Sequence, residues 1–279
     1  MKLYLALCLC FLVTFTEAKD KIPLTREQLL SKVGNQDMLK GKENSVLNVQ
    51  SEPVYEEYIA RDCRAAYLNG RRQSGLYVVR PKNSSLIVVY CEMSQAAGGW
   101  TVLMRNTVSQ KTAWARSWTA YKNGFGELEG NHWLGNEFIH LLTRQNAFAV
   151  RFVLVTADNK TIHADYHSFE LDSEANGYAL RLGDHSGDAG DALTVMYETG
   201  IHDNMKFSTS DRDQDRRVPD NCAIRHGGGW WYDNCRSAVL SSDQGIYWKD
   251  VCVLNSNPCQ SAYVKIRPNG KNCIKHMKI

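Results

Sequence analysis

The 279-residue chain contains no run approaching the roughly 18 apolar residues that a membrane-spanning helix needs. Charge of one sign is scarce too. Its 33 Lys and Arg against 30 Asp and Glu leave a formal charge of only +3, and no basic block is interleaved with aromatics, which argues against nucleic acid as a partner. Between residues 19 and 57 there is no cysteine, no sustained heptad and no Gly-X-Y repeat. These absences exclude a coiled-coil or collagen-like stalk in that stretch.

Catalytic signatures are equally thin. His163 and His167 stand four apart, as zinc ligands on one helical face would, but T-I-H-A-D-Y-H-S-F-E-L alternates like a strand and lacks the glutamate of H-E-x-x-H. Gly183 to Gly190 is glycine-rich without the Gly-Lys-Ser/Thr that cradles phosphate, so it reads as a turn-forming loop. His226-Gly227-Gly228-Gly229 has the form of an esterase oxyanion loop, yet no G-x-S-x-G nucleophile elbow accompanies it. The sequence therefore reads as non-enzymatic.

What is present fits a folded, exported protein. A composition of 43% hydrophobic and 23% charged residues supports a sizeable core. Lys2, the apolar run Leu3 to Phe15 and Thr16-Glu17-Ala18 have the form of a secretory signal peptide cleaved after Ala18. Of nine cysteines, Cys8 and Cys10 lie in that segment, which leaves seven. In a secreted chain these are expected mostly as disulfides, with one odd. Asn83 and Asn159 begin N-x-S/T sequons and are candidate glycosylation sites on exposed loops.

Residues 19 to 57 read as a short polar leader, with Thr25 to Gln28 as a capping box for one marginal helix closed near Gly34. From Tyr58 the character changes. Ser74 to Val79 and Leu86 to Tyr90 are β-branched and aromatic runs separated by the turn Arg80 to Asn83, and Gly98 to Met104 gives a turn and a further strand. Cys63 and Cys91 flank the hairpin; a bridge between them would contribute roughly 3 kcal/mol in the chain-entropy model. Trp114 to Gly135 is irregular, Asn136 to Thr143 has the spacing of a short amphipathic helix, and strands follow at Ala149 to Val155, Thr161 to Leu171 and Tyr178 to Leu182. This pattern predicts an α+β fold built on an antiparallel sheet.

The densest segment runs from Phe207 to Cys235. Asp211, Asp213 and Asp215 alternate with Arg212 and Gln214, so a tight loop would turn carboxylate oxygens onto a hard cation, with Ca2+ the natural choice. The competing reading is a solvated loop whose acids are neutralised by Arg212, Arg216 and Arg217.

Taken together, Ala60-Arg61-Asp62-Cys63, Ser74-Gly75-Leu76-Tyr77, Cys91-Glu92-Met93, Gly98-Gly99-Trp100-Thr101-Val102, Gly124-Phe125-Gly126, Trp133-Leu134-Gly135-Asn136, Ser186-Gly187-Asp188-Ala189-Gly190-Asp191-Ala192-Leu193 and Phe207-Ser208-Thr209 resemble a fibrinogen C-terminal-like domain. The resemblance covers roughly Tyr58 to Pro268, so residues 58–269 are taken as the domain and 270–279 as a basic tail. It implies three subdomains: a small N-terminal sheet, a central sheet, and a loop-rich C-terminal part bearing calcium and a ligand pocket. It also implies disulfides Cys63 with Cys91 and Cys222 with Cys235, Asp213 and Asp215 as calcium ligands, and backbone carbonyls at Arg217 and Pro219 as the nearest positions completing the sphere. Beyond the pocket, Cys252 and Cys259 enclose a turn that suits a local disulfide, and Cys273 either joins two chains in a homodimer or pairs with one of these two.

By the same resemblance Trp230, Trp231, Tyr232, Arg236 and Asp243 are the candidate ligand-binding residues, the tryptophans forming a platform beside the calcium loop. The chain departs from the family there. Arg236 stands where a histidine is common, Ile224-Arg225-His226 replaces an acidic or polar pair, and the stretch from Cys235 to Gly245 is short. The expected function is an extracellular ligand of a receptor or matrix protein. The alternative is calcium-dependent, lectin-like recognition of acetylated glycans in innate defence.

Overall fold

Phe148–Thr156 alternates buried and half-buried side chains at every position, the period-two signature of a strand with one face on a core. It is one of the middle strands of an antiparallel sheet. The computed structural model describes residues 59–269. The signal peptide, the leader, the basic tail and Cys273 lie outside the described residues.

In chain order the strands are β1 (Gly75–Val79), β2 (Ile87–Glu92), β3 (Trp100–Thr107), β4 (Phe125–Gly126), β5 (His132–Trp133), β6 (Phe148–Thr156), β7 (Thr161–Leu171), β8 (Leu180–Leu182), β9 (His185–Gly187), β10 (Ala238–Val239), β11 (Tyr247–Trp248) and β12 (Cys259–Pro268). The helices are α1 (Cys63–Leu68), α2 (Trp118–Asn123), α3 (Asn136–Thr143) and α4 (Cys222–His226). Ten strands form one sheet in the order β1-β2-β3-β12-β6-β7-β8, with β4, β5 and β9 attached at its margins, while β10 and β11 pair separately. The N-terminal hairpin is thus continuous with the central sheet through the β2–β3 ladder.

The C-terminal strand β12 lies between β3 and β6, pairing antiparallel with both. A central strand must be compatible with burial on both faces, and β12 is: Ala262, Val264 and Ile266 are buried, and so is Lys265. That lysine is tolerated because its ammonium meets the Glu92 carboxylate at 2.5 Å. On β6, Phe148, Val150, Phe152 and Leu154 share the inward face, each contributing about 1.5–3 kcal/mol by burial.

Helix α3 forms as its spacing predicts. Ile139 and Leu142 are buried, and His140 donates from Nδ1 to the carbonyl of Leu171 on β7 at 2.8 Å. The stretch read as irregular hides α2. Its first turn is held by Ser117, which accepts from the Ala120 N–H, and by Asp211, which accepts from the Trp118 N–H at 2.8 Å. The carboxylate of Asp211 comes from 93 residues away, so no local capping pattern announced it.

Among the described residues three disulfides close the fold: Cys63–Cys91, Cys222–Cys235 and Cys252–Cys259, with sequence separations of 28, 13 and 7.

Candidate functional site

The loop from Phe207 to Cys235 is built on a two-residue ladder. Ser208 and Trp230 exchange main-chain hydrogen bonds of 2.9 and 3.2 Å, and the Cys222–Cys235 bridge shuts the loop at its base. Asn221 caps α4 by accepting from the Ile224 N–H at 3.0 Å, and Gly227 ends that helix in the left-handed region at φ 64°. The glycine run that follows is a matter of space, since a Cβ on Gly228 would sit 1.8 Å from the Ser241 carbonyl oxygen.

The carboxylate ladder divides its labour. Asp211 is committed to α2 and to the Thr209 hydroxyl at 2.7 Å. Asp215 accepts from the N–H of Arg217 and of Cys222, both at 2.9 Å, and Asp213 accepts from the Asp215 N–H at 3.2 Å. The arginines expected to neutralise these acids are drawn elsewhere. Arg212 lies 3.9 Å over the Trp118 ring, Arg216 forks onto Asp233, and Arg217 pairs with Asp220 at 2.5 Å. The charge-balanced reading of the loop is therefore corrected: among the described residues no guanidinium stands opposite Asp213 or Asp215.

Burial pushes the Asp215 carboxyl above its ordinary value, and the adjacent Asp213 charge adds to the rise. A cation there would reverse that penalty. No group of three or more His, Cys, Asp or Glu suited to a metal occurs among the described residues, so a metal site would consist of two carboxylates plus main-chain carbonyls. Such an all-oxygen set suits calcium and not zinc.

The expected aromatic platform is corrected by its burial. Trp230, Trp231 and Tyr232 are 0%, 3% and 0% exposed. They are core, not contact surface. Trp231 donates to the Tyr178 carbonyl at 2.9 Å, Tyr232 to the Gly228 carbonyl at 2.9 Å, and both tryptophans pack on Trp133. The adjacent aromatics sink inward because Gly229 brings the main chain against the rings of Tyr121 and Phe207.

Asp243 is also structural. It is exposed, but its carboxylate accepts from the N–H of Trp114 at 2.6 Å and of Ala115 at 3.3 Å, pinning the segment before α2. Of the five candidates Trp230 and Arg236 carry a polar atom with no hydrogen-bond partner among the described residues, and of these two only Arg236 is not fully buried. Its guanidinium centre is 4.6 Å from the Tyr247 ring centroid, and its Nη1 is buried with no hydrogen-bond partner among the described residues. Burial, and then the nearby Arg225 charge, lower its pKa. His226 stacks on Tyr232 with centroids 5.8 Å apart, and burial holds its pKa down to about 4.

Residues 59–268 match a family profile described as fibrinogen beta and gamma chains, C-terminal globular domain. The chain belongs to this family. A Gallus gallus fibrinogen-like protein 1-like protein is 47% identical to this fibrinogen C-terminal domain protein, over 68% of this chain and 67% of the relative. Fibrinogen-like protein 1 of Bos taurus is 36% identical over 87% of this chain and 81% of the relative. Among solved structures, a lamprey fibrin D-dimer complexed with the peptide ligand Gly-His-Arg-Pro-amide superposes with a TM-score of 0.70 at 28% identity. That match covers 91% of this chain and 87% of that one.

Elsewhere in this fibrinogen C-terminal domain, Asn83 and Asn159 are exposed on turns with φ of 55° and 65°. His163 and His167 lie on β7, with His163 3.3 Å from Asp188. No helix among the described residues is long and apolar enough to cross a membrane. Sequence reasoning missed His202 and Asp233. His202 is fully buried, donates to the Trp231 carbonyl at 2.7 Å, and accepts from the N–H of Ser237 and Ala238 at 2.9 and 3.0 Å. Asp233 ties Arg216 to the N–H of Ile201. Both act across long sequence separations and carry no local motif.

Proposed function

We propose that this chain is a secreted, non-enzymatic ligand that binds a cell-surface receptor or a matrix protein through a calcium-braced fibrinogen C-terminal domain. The observation that carries the reading is what reaches the surface beside Cys235. The aromatic pair is buried, whereas Arg236 is half-buried and the aliphatic side chains of Val218 and Ile224 are exposed. Such a face suits a polypeptide better than a sugar ring. That a structural neighbour is complexed with a peptide ligand supports a polypeptide partner. The three disulfides support an oxidising, extracellular setting. The exposed Asn83 and Asn159 are proposed glycosylation sites, and Cys273 a proposed interchain link.

Asp213 and Asp215, with the carbonyls of Arg217 and Pro219, would hold the calcium. When bound, the ion supplies positive charge that stabilises the loop. At about 1 mM extracellular calcium and an affinity of 10⁻⁴ to 10⁻³ M, the gain is roughly 0.4 to 1.4 kcal/mol.

The lectin alternative rested on the D-x-D-x-D loop and the tryptophan pair, and the burial of Trp230 and Trp231 removes the second of these. A glycan array probed with and without EDTA separates the two readings. Absence of calcium-dependent glycan binding is expected, while clear binding to acetylated sugars that EDTA abolishes would overturn the proposal.

A further inference from the structure

The Cys222–Cys235 bridge fixes the main chain immediately before Arg236. The side chain lies along Tyr247, and its buried Nη1 meets no acceptor among the described residues. A guanidinium is a rigid fork of donors, and a buried donor left unmatched is unfavourable. A carboxylate, accepting from two prongs at once, is the natural complement.

The surroundings add positive charge instead of balancing it. Arg217 and Arg225 share the single carboxylate of Asp220, at 2.5 and 3.2 Å. Asp243, the acid packed near Gly227, is held by the N–H groups of Trp114 and Ala115. His226 lies against Tyr232 and faces Gln244, with Nδ1 3.4 Å from Oε1. Arg217 and Arg225 thus share one carboxylate, and Arg236 forms an ion pair with none among the described residues. Beside them Val218 is 89% exposed and Ile224 65% exposed, a cost in water that a partner's aliphatic groups would remove.

We infer that this face docks an acidic peptide segment of a protein partner, with a carboxylate gripped by Arg236 beside Arg225 and an adjoining apolar side chain covering Ile224. The inference rests on the reading of the chain as a protein ligand. A peptide is favoured over an anionic sugar because the exposed groups flanking the guanidiniums are the aliphatic Val218 and Ile224, while Trp230, Trp231 and Tyr232 are buried.

The test is fluorescence anisotropy with the full chain and a labelled, capped Glu-Leu-Glu-Leu-Glu peptide, its Gln-for-Glu counterpart, and a sulfated heparin fragment. The acidic peptide is expected to bind, about tenfold or more tighter than the Gln peptide, and to weaken as salt rises from roughly 50 to 200 mM. Arg236→Gln should weaken it about tenfold, Arg225→Gln by a smaller factor, and Arg144→Gln, whose guanidinium bonds the Asn83 carbonyl, not at all. The inference is overturned if Arg236→Gln binds within about twofold of wild type, or if the Gln peptide binds equally well. Binding of the heparin fragment through Arg236 without the peptide also overturns it. Should Arg236→Gln fail to fold, unchanged binding by Arg225→Gln together with no salt dependence counts against it. Binding of the labelled chain to intact cells separates the layers: equal cell binding by wild type and a folded Arg236→Gln sinks the docking site alone. Peptide binding without any cell binding sinks the ligand reading alone.

Discussion

His202 should make this domain acid-sensitive in a way that one substitution can isolate. Burial holds its pKa at about 4, against about 6.5 in an unfolded chain. The geometry explains why. Nδ1–H donates to Trp231, so Nε2 must stay unprotonated to accept from both Ser237 and Ala238. A proton on Nε2 would face two N–H donors. Because the folded pKa is depressed below the unfolded one, the contribution is complete above about pH 6.5 and is lost as pH falls toward 4. A separation of about 2.5 units corresponds to about 3 kcal/mol in full, of which about 2 kcal/mol is lost between about pH 6.0 and 4.5. Urea unfolding measured across that window should show wild-type stability falling more steeply than that of His202→Asn, the two curves converging by about 2 kcal/mol as pH drops. His202→Asn will be less stable at neutral pH, having lost an acceptor for two buried donors. That offset does not affect the comparison of slopes. Parallel curves would refute the assignment.

Gly228→Ala should destabilise by more than about 3 kcal/mol or prevent folding, since its Cβ would stand 1.8 Å from Ser241 O; a variant melting within a few degrees of wild type would contradict this packing. Lys265→Ala leaves the Glu92 carboxylate unpaired in a largely buried pair, 8% and 15% exposed, and should cost about 3 kcal/mol by chemical denaturation, with much of that recovered in the Lys265→Met, Glu92→Gln double variant. Calcium should raise the melting temperature of the wild type and not of Asp213→Ala; an EDTA-insensitive wild type would remove the ion from the account.

Where burial alternates along a single strand, the sequence was readable. The strand runs at 149–155 and 161–171 fall within β6 and β7, and the helix at 136–143 is α3. The seating of β12 between β3 and β6 was not readable, because strand order is set by contacts more than a hundred residues apart. The same holds within the loop. Three aspartates and three arginines crowd into residues 211–217, but which guanidinium meets which acid depends on Trp118, Asp233 and Asp220. Two adjacent tryptophans looked like a platform because nothing periodic around them indicates an inward side. Gly228 and Gly229, just before the pair, are the local hint of close packing there.

The most direct test of the central claim is saturation binding of the labelled full chain to intact cells or matrix, with unlabelled chain as competitor. The account predicts a saturable isotherm displaced by unlabelled protein and abolished when surface proteins are digested. Uptake that never saturates, or binding that survives proteolysis and vanishes on deglycosylation with EDTA, would contradict it.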